Sequence, residues 1–196
     1  MPLIKYKILI TGAHSGFGFF LSKKFEQKGH EILRHNGKVH YDLRDQNQLK
    51  KLAKEAIDFG VDVLINNAGI ICPSIQFQDY DLPLINDMVD VNLKAPIVLS
   101  WMLRENLKTI ININSMVGME IKKNRTLYSS TKWGLRGFSN SLKLETKIRC
   151  LDIYPTNIKL KPDQTNAMEV DEVTTKIYKA FCNKKINELI IDGRNK

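Results

Sequence analysis

The passage from an apolar run, through a glycine-rich turn, into a helical pattern limits the folds open to this chain more than any other feature. Tyr6 to Ile10 read as a short buried strand. The turn from Thr11 to Gly18 holds Gly12, Gly16 and Gly18. Phe17, Phe20, Leu21 and Phe25 then recur at offsets of three, four and eight, as on one face of a helix, and Gly29 ends it. The alternation continues down the chain. Further strands read at residues 31–33, 61–65, 109–113, 149–153 and 188–191. Helical patterns cover residues 80–106, with a break expected at Pro96, then 128–147 and 170–183. Strands alternating with helices build a parallel sheet covered on both faces.

One stretch departs from the pattern. Between Gly29 and Asp42 there is room for two strands and a short loop, but hardly for a helix. A parallel crossover normally takes a dozen or more residues. The helix after the second strand is therefore expected to be missing or reduced to a turn, with a third strand ending just before Asp42.

With 196 residues, 43% of them hydrophobic, the chain suffices for one domain. No apolar run approaches the roughly 20 residues a membrane helix needs, and Lys5 and Lys7 interrupt the first apolar segment. Cys72, Cys150 and Cys182 are scattered, which gives neither metal spacing nor a disulfide framework. A cytoplasmic setting is the matching expectation. Cys72 falls near the expected cleft, where reactivity would require an electropositive setting. The net charge of +9 comes mostly from lysine, 23 of the 30 basic residues, spread along the whole chain. Without a basic run or a nucleic-acid motif it reads as a solvated surface, with no nucleic-acid or membrane partner, whose field attracts anionic ligands.

The chemistry concentrates in a few places. Glycines let backbone approach a pyrophosphate, and a helix N-terminus offers free N–H groups and a positive dipole end. Tyr128 and Lys132 lie four apart in a helical pattern, one turn from each other on one face. A phenol titrates near pH ~10 and is a poor base at neutrality; a nearby ammonium favours the phenolate. Taken singly, Ser115 reads equally as a strand-end cap, Asn92 as a helix cap or kink, and the tyrosine and lysine as an exposed pair. Their ordered occurrence argues for a site.

Together these motifs resemble the short-chain dehydrogenase/reductase family over nearly the whole chain. The resemblance rests on the spacing of Gly12, Gly16 and Gly18, on Asn66-Asn67-Ala68-Gly69, on Asn92, and on Ser115 standing thirteen positions before Tyr128-x-x-x-Lys132. It implies a Rossmann-like, doubly wound α/β domain and an NAD(P)-dependent oxidoreductase acting on a small carbonyl or alcohol substrate. It implies that Tyr128 is the general acid or base, that Lys132 holds the phenolate and the nicotinamide ribose, that Ser115 donates to the substrate oxygen, and that Asn92 anchors a relay water. Cofactor contacts would come from Gly12, His14, Ser15, Gly16, Phe17 and Gly18 in the turn, and from Asn67, Ala68 and Gly69. Asp42, with Leu43, would meet the adenine after the third strand, and Pro155 and Ile158 would lie near the nicotinamide. A homodimer or homotetramer is the family's common assembly.

A ribose 2′-hydroxyl is usually held by an acid at the end of the second strand, and a 2′-phosphate needs a base there. Residues 32–41 hold no acid but do hold Arg34, His35, Lys38 and His40. NADP(H) is therefore favoured over NAD(H), with Arg34 and His35 as the expected phosphate contacts. The family's Pro-Gly after the sixth strand is Pro155-Thr156 here, and Leu160 replaces a threonine. The polar segment from Lys161 to Met168 reads as a short lid, and Ile71, Cys72, Met116, Val117 and Leu127 as apolar cleft liners. Two other functions share parts of this pattern. An epimerase or dehydratase would need a larger substrate domain than the 64 residues after Lys132 provide. A cofactor-binding sensor would not need the full set of Asn92, Ser115, Tyr128 and Lys132.

Overall fold

The computed structural model describes residues 4–71 and 74–194; Cys72 lies outside them. Strand β1 (Lys7–Ile10) leads into helix α1 (Gly16–Gln27) and strand β2 (Glu31–Arg34). Then come α2 (Gln46–Phe59), β3 (Val63–Asn66), α3 (Leu82–Val89) and α4 (Ala95–Leu103). The second half runs through β4 (Thr109–Ile113), α5 (Thr126–Glu145), β5 (Arg149–Pro155), β6 (Ile158–Lys159), β7 (Met168–Glu169), α6 (Val170–Cys182) and β8 (Glu188–Ile191).

Six strands form one parallel sheet in the order β2-β1-β3-β4-β5-β8, while β6 and β7 make a two-residue pair beside it. Side chains alternate across the sheet. Ile8 and Ile10 join Leu21 and Phe25 of α1 and Val173, Ile177 and Phe181 of α6 on one face. Leu9 meets Leu49 and Leu52 of α2 and Leu99 and Leu103 of α4 on the other. Full burial of a side chain such as Phe25 is worth roughly 1.5–3 kcal/mol. The order reverses at β1: the chain leaves it towards β2 and returns over it to β3. Sheets of this kind form their cleft at such a switch, outside the carboxyl ends of the strands.

The short connection after β2 is a single 3₁₀ turn, Gly37–Val39, as its length requires. The third strand expected before Asp42 does not form. Both His40 and Tyr41 donate their N–H groups to the Gly37 carbonyl, which folds the chain back towards α2. Asn66 to Gly69 therefore follow the third strand of the chain rather than a fourth. Helix α2 begins at Asp45, whose carboxylate accepts the N–H groups of Asn47 (2.7 Å) and Gln48 (3.2 Å). It ends at Gly60, which adopts φ 81°.

The break expected at Pro96 occurs one step earlier, as a π-turn over Asp90–Lys94 that joins α3 to α4. Proline offers no N–H to the carbonyl four residues back, here that of Asn92, and its ring crowds that carbonyl. Widening the turn relieves the clash, and Ala95 donates to Asp90, five residues back. Among the described residues no helix is long and apolar enough to cross a membrane.

A polar thread crosses the sheet beneath α5. Ser139 donates to the fully buried Asp152 at 2.7 Å, Asn112 donates to Ser139 at 2.7 Å, and Asn66 donates to Asn112 at 2.8 Å. Lys143 reaches the other Asp152 oxygen at 3.2 Å. Burial is the largest influence on the Asp152 carboxyl and raises its pKa despite these donors. A carboxyl whose folded pKa lies above its unfolded value favours the folded state at low pH. That contribution is lost as pH rises from the ordinary carboxylate range through the raised folded value. Asp152→Asn is expected to remove this segment of pH dependence. Urea unfolding of both proteins across pH 3–8 tests it, and parallel stability curves would refute it.

Candidate active site

The loops after β1 and β3 face each other across the switch. Thr11 Oγ1 accepts the N–H groups of Asn67 and Ala68, both at 3.0 Å. The Asn67 amide donates back to the carbonyls of Thr11 (2.8 Å) and Gly12 (3.2 Å). Close approach explains the glycines: a Cβ on Gly12 would lie 3.0 Å from the Ala68 Cα, and one on Gly18 would collide with the Gly12 carbonyl. Ser15 precedes α1 and gives its first turn no side-chain cap. N–H groups are thus left at the mouth of the cleft, and a Cβ on Gly16 would meet only Leu160, at 3.8 Å. These features fit the pyrophosphate of a dinucleotide.

Two connected spaces continue from this turn. The smaller, about 390 Å³, is bounded by Gly12, Ser15, Gly18, Lys38, Asp42 and Leu43 among others. The larger, about 650 Å³, is bounded by Ser115, Tyr128, Lys132, Pro155 and Ile158. Phe17, Asn67 and Gly69 border both, and Ala68 borders the smaller. His14 is exposed in the turn and borders neither.

Arg34 and His35 do not take the places expected of them. Period-two alternation sends Arg34 to the α1 face, where it bonds Ser22 Oγ at 3.0 Å and pairs with Glu26. His35 is buried beneath the turn. Its Nδ1 accepts the Gly12 N–H at 3.1 Å, so Nε2 carries the hydrogen and donates to the Tyr41 carbonyl at 2.7 Å. Burial also pushes its pKa down. His35 is thus a neutral brace under the glycine turn rather than a cation at a phosphate. Both His35 and Lys38 border this space, and of the two Lys38 is the cation. The Asp42 carboxylate is held by Arg44, which lowers its pKa to about 2, and Arg44 also grips Asp87 of α3.

In the larger space α5 presents Tyr128 and Lys132 from one face. The Lys132 ammonium donates to the Ile113 carbonyl at 2.9 Å and lies 5.7 Å from the centre of the Tyr128 ring. Burial lowers its pKa to about 8. Ser115, at the end of β4, accepts the Val117 N–H at 3.4 Å through its oxygen, leaving its own hydrogen to donate. Asn114, which sequence reasoning missed, ties strand to helix: its amide donates to the Lys132 carbonyl at 3.1 Å and accepts the Ser115 N–H at 2.9 Å.

Asn92 sits in the π-turn behind this group. Its amide accepts the Ile70 N–H at 2.7 Å and donates to the Ile70 carbonyl at 2.9 Å, anchoring the loop that carries Gly69. The same amide donates to Thr131 Oγ1 of α5 at 3.4 Å, so the Asn92 side chain links this loop to the helix that carries Tyr128 and Lys132.

Thr156, where a glycine was expected, turns its hydroxyl to the β8 end, accepting the Gly193 N–H at 2.9 Å. Leu160 borders both spaces. Ile71, Met116 and Val117 line the larger one as expected, whereas Leu127 packs behind Tyr128 with Met88. Residues 164–167 of the expected lid border the cavity. So do Lys122, Arg125 and Arg194, which no motif announced. Among the described residues no three His, Cys, Asp or Glu side chains gather as a metal site.

Known proteins share this fold. An uncharacterized oxidoreductase of Staphylococcus epidermidis is 28% identical over 183 aligned residues, covering 79% of each protein. The bulky-bulky ketone specific alcohol dehydrogenase of Comamonas testosteroni superposes with a TM-score of 0.84 at 25% identity, over 94% of this chain and 85% of that one. An alcohol dehydrogenase of the archaeon Thermococcus sibiricus, complexed with 5-hydroxy-NADP, shares the fold with a TM-score of 0.85 at 18% identity, over 98% of both chains. The profile of the short chain dehydrogenases matches residues 35–170, and this chain belongs to that family.

Proposed function

We propose that the protein is an NAD(P)-dependent oxidoreductase interconverting a carbonyl and an alcohol, with Tyr128 as its general acid and base. One observation carries the reading: Ser115, Tyr128 and Lys132 border a single cavity that continues to the uncapped N-terminus of α1. A bound nicotinamide supplies or accepts the hydride. The chain's own residues handle the proton. The Tyr128 hydroxyl gives its proton to the carbonyl oxygen in reduction and takes one from the alcohol in oxidation. The Ser115 hydroxyl donates to the same oxygen, where negative charge grows as hydride arrives. The Lys132 ammonium stabilises the phenolate left behind, and burial beside Ile113 strengthens that influence.

Turnover of a carbonyl panel, followed at the reduced nicotinamide absorbance, tests the activity. Tyr128→Phe is expected to lower kcat by about 10²–10⁴-fold; a variant with wild-type rates would sink the mechanism. Lys132 carries its charge below its lowered pKa of about 8 and loses it above. Reduction, which needs the charged lysine and the protonated tyrosine, should therefore decline as pH rises through about 8. A rate still climbing from pH 8 to 9 would contradict this assignment.

NADP(H) is the cofactor form this reading favours. Lys38 borders the adenosine side, while Asp42, its one carboxylate, is engaged by Arg44. Lys38→Ala is expected to weaken NADP(H) about tenfold relative to NAD(H), since a charge-assisted hydrogen bond is lost. Titrations of both cofactors measure the ratio, and an unchanged ratio would exclude Lys38 as the phosphate contact.

A further inference from the structure

One side chain joins two walls of the smaller space. Gly12 and Ser15 border that space from the glycine turn, and Tyr41, Asp42 and Leu43 border it from the loop before α2. His35 borders it as well and is only 1% exposed. Its Nδ1 accepts the Gly12 N–H at 3.1 Å, and its Nε2 donates to the Tyr41 carbonyl at 2.7 Å. The Gly12 carbonyl is taken by the Asn67 amide at 3.2 Å. The His35 backbone is fixed too: its N–H donates to the Ile10 carbonyl at 3.1 Å, and its own carbonyl accepts the Ala13 N–H at 2.9 Å. The ring cannot retreat by moving the chain that carries it.

This bridge holds in one protonation state. A neutral ring with its hydrogen on Nε2 offers Nδ1 as an acceptor. Protonation puts a hydrogen on Nδ1, which then meets the Gly12 N–H donor to donor, in a buried position where an unmet donor is costly. The surrounding groups pull both ways. His40 stacks on the ring with centres 6.3 Å apart and in turn pairs with Glu55 of α2 at 3.3 Å. Burial is the largest influence and favours the neutral ring, as does His40; the Tyr41 and Gly37 carbonyls and Glu55 favour the charged one. Lys38 and Asp42 border the same space, and Arg44 already holds the Asp42 carboxylate.

We infer that His35 is a positioning residue for the dinucleotide: its neutral form ties the glycine turn to the adenosine wall, and protonation in acid releases that tie and weakens cofactor binding. This rests on the reading of the site as one for a nicotinamide dinucleotide. A histidine cation drawn to a phosphate would do the opposite and bind more tightly in acid, so the sign separates the two roles. Linkage gives the same sign in reverse. A cofactor that prefers the neutral ring lowers the His35 pKa on binding, whereas a phosphate contact raises it.

Two measurements test it. Calorimetric titration with NADP⁺ from pH 8 down to pH 5 compares the wild type with His35→Asn and His35→Ala. An asparagine Oδ1 can replace Nδ1 as the acceptor without titrating, so His35→Asn should bind nearly as tightly as the wild type at pH 8. His35→Ala should bind about tenfold more weakly at every pH. Taking the ratio to His35→Asn cancels the titration of the cofactor's own phosphate. In that ratio the wild type should lose up to about tenfold in affinity for each pH unit below the His35 pKa. A ratio that is constant, or that rises in acid, overturns the inference. The second measurement needs no variant: NMR titration of the His35 ring, assigned through its contact with the Gly12 amide, should give a lower pKa in the NADP⁺ complex than in the free protein. An equal or higher pKa in the complex, or a ring still neutral at pH 5 in the free protein, overturns it. Binding with the wrong sign leaves the oxidoreductase reading in place. No binding of NADP⁺ or NAD⁺ at any pH removes that reading and the inference with it.

Discussion

The site depends on the stitching of two loops. Strands β1 and β3 are neighbours, yet their outgoing loops diverge, one into α1 and the other towards α3. Thr11 and Asn67 hold those loops together through four hydrogen bonds. Each is worth only about 1 kcal/mol net, but leaving a buried partner unmade costs more. With this seam in place, Gly12 and Gly18 can pack without a Cβ, and the start of α1 opens onto the cleft.

A second set of polar groups works from behind. Asn92 fixes Ile70, Asn114 fixes the carbonyl of Lys132, and Ile113 receives the lysine ammonium. Each places polar atoms in the interior, which is tolerable because partners meet them there. The result is a lysine held by backbone rather than by an acid. Its charge is left to act on the tyrosine, where a carboxylate partner would have quenched it.

Much of the fold was legible because β1, β3, β4 and β5 are buried on both faces and read as apolar runs. The catalytic set was legible because helical spacing and order are local properties. The failures have physical causes. Helix α2 was readable in Leu49, Leu52, Ala53 and Ala56, but the expectation of a third strand obscured it. That strand had little to build on, since Val39 is 98% exposed and nothing covers it. Arg34 was assigned by its place in the chain, whereas the face of β2 it occupies turns it to Glu26. The cations bordering the larger space were invisible for another reason: Lys122 and Arg125 stand before α5 and Arg194 follows β8, and only the folded sheet brings them to one cavity.

The π-turn at Asn92 has a consequence for how this stretch can vary. It amounts to one extra residue wound into an otherwise continuous helix. Removing a residue there would let the helix run straight, but each residue accounts for about 100° of rotation. Everything downstream would swing by that angle. Leu99 and Leu103 would leave the sheet they now cover, and Ser100 and Arg104, the next residues along, would take their places. The segment from Leu82 to Leu103 is thus held to its length by two appointments kept at once, Asn92 with Ile70 and the leucines with the sheet. Loops on either side can lengthen or shorten; this helix cannot change by a single residue without missing one of them.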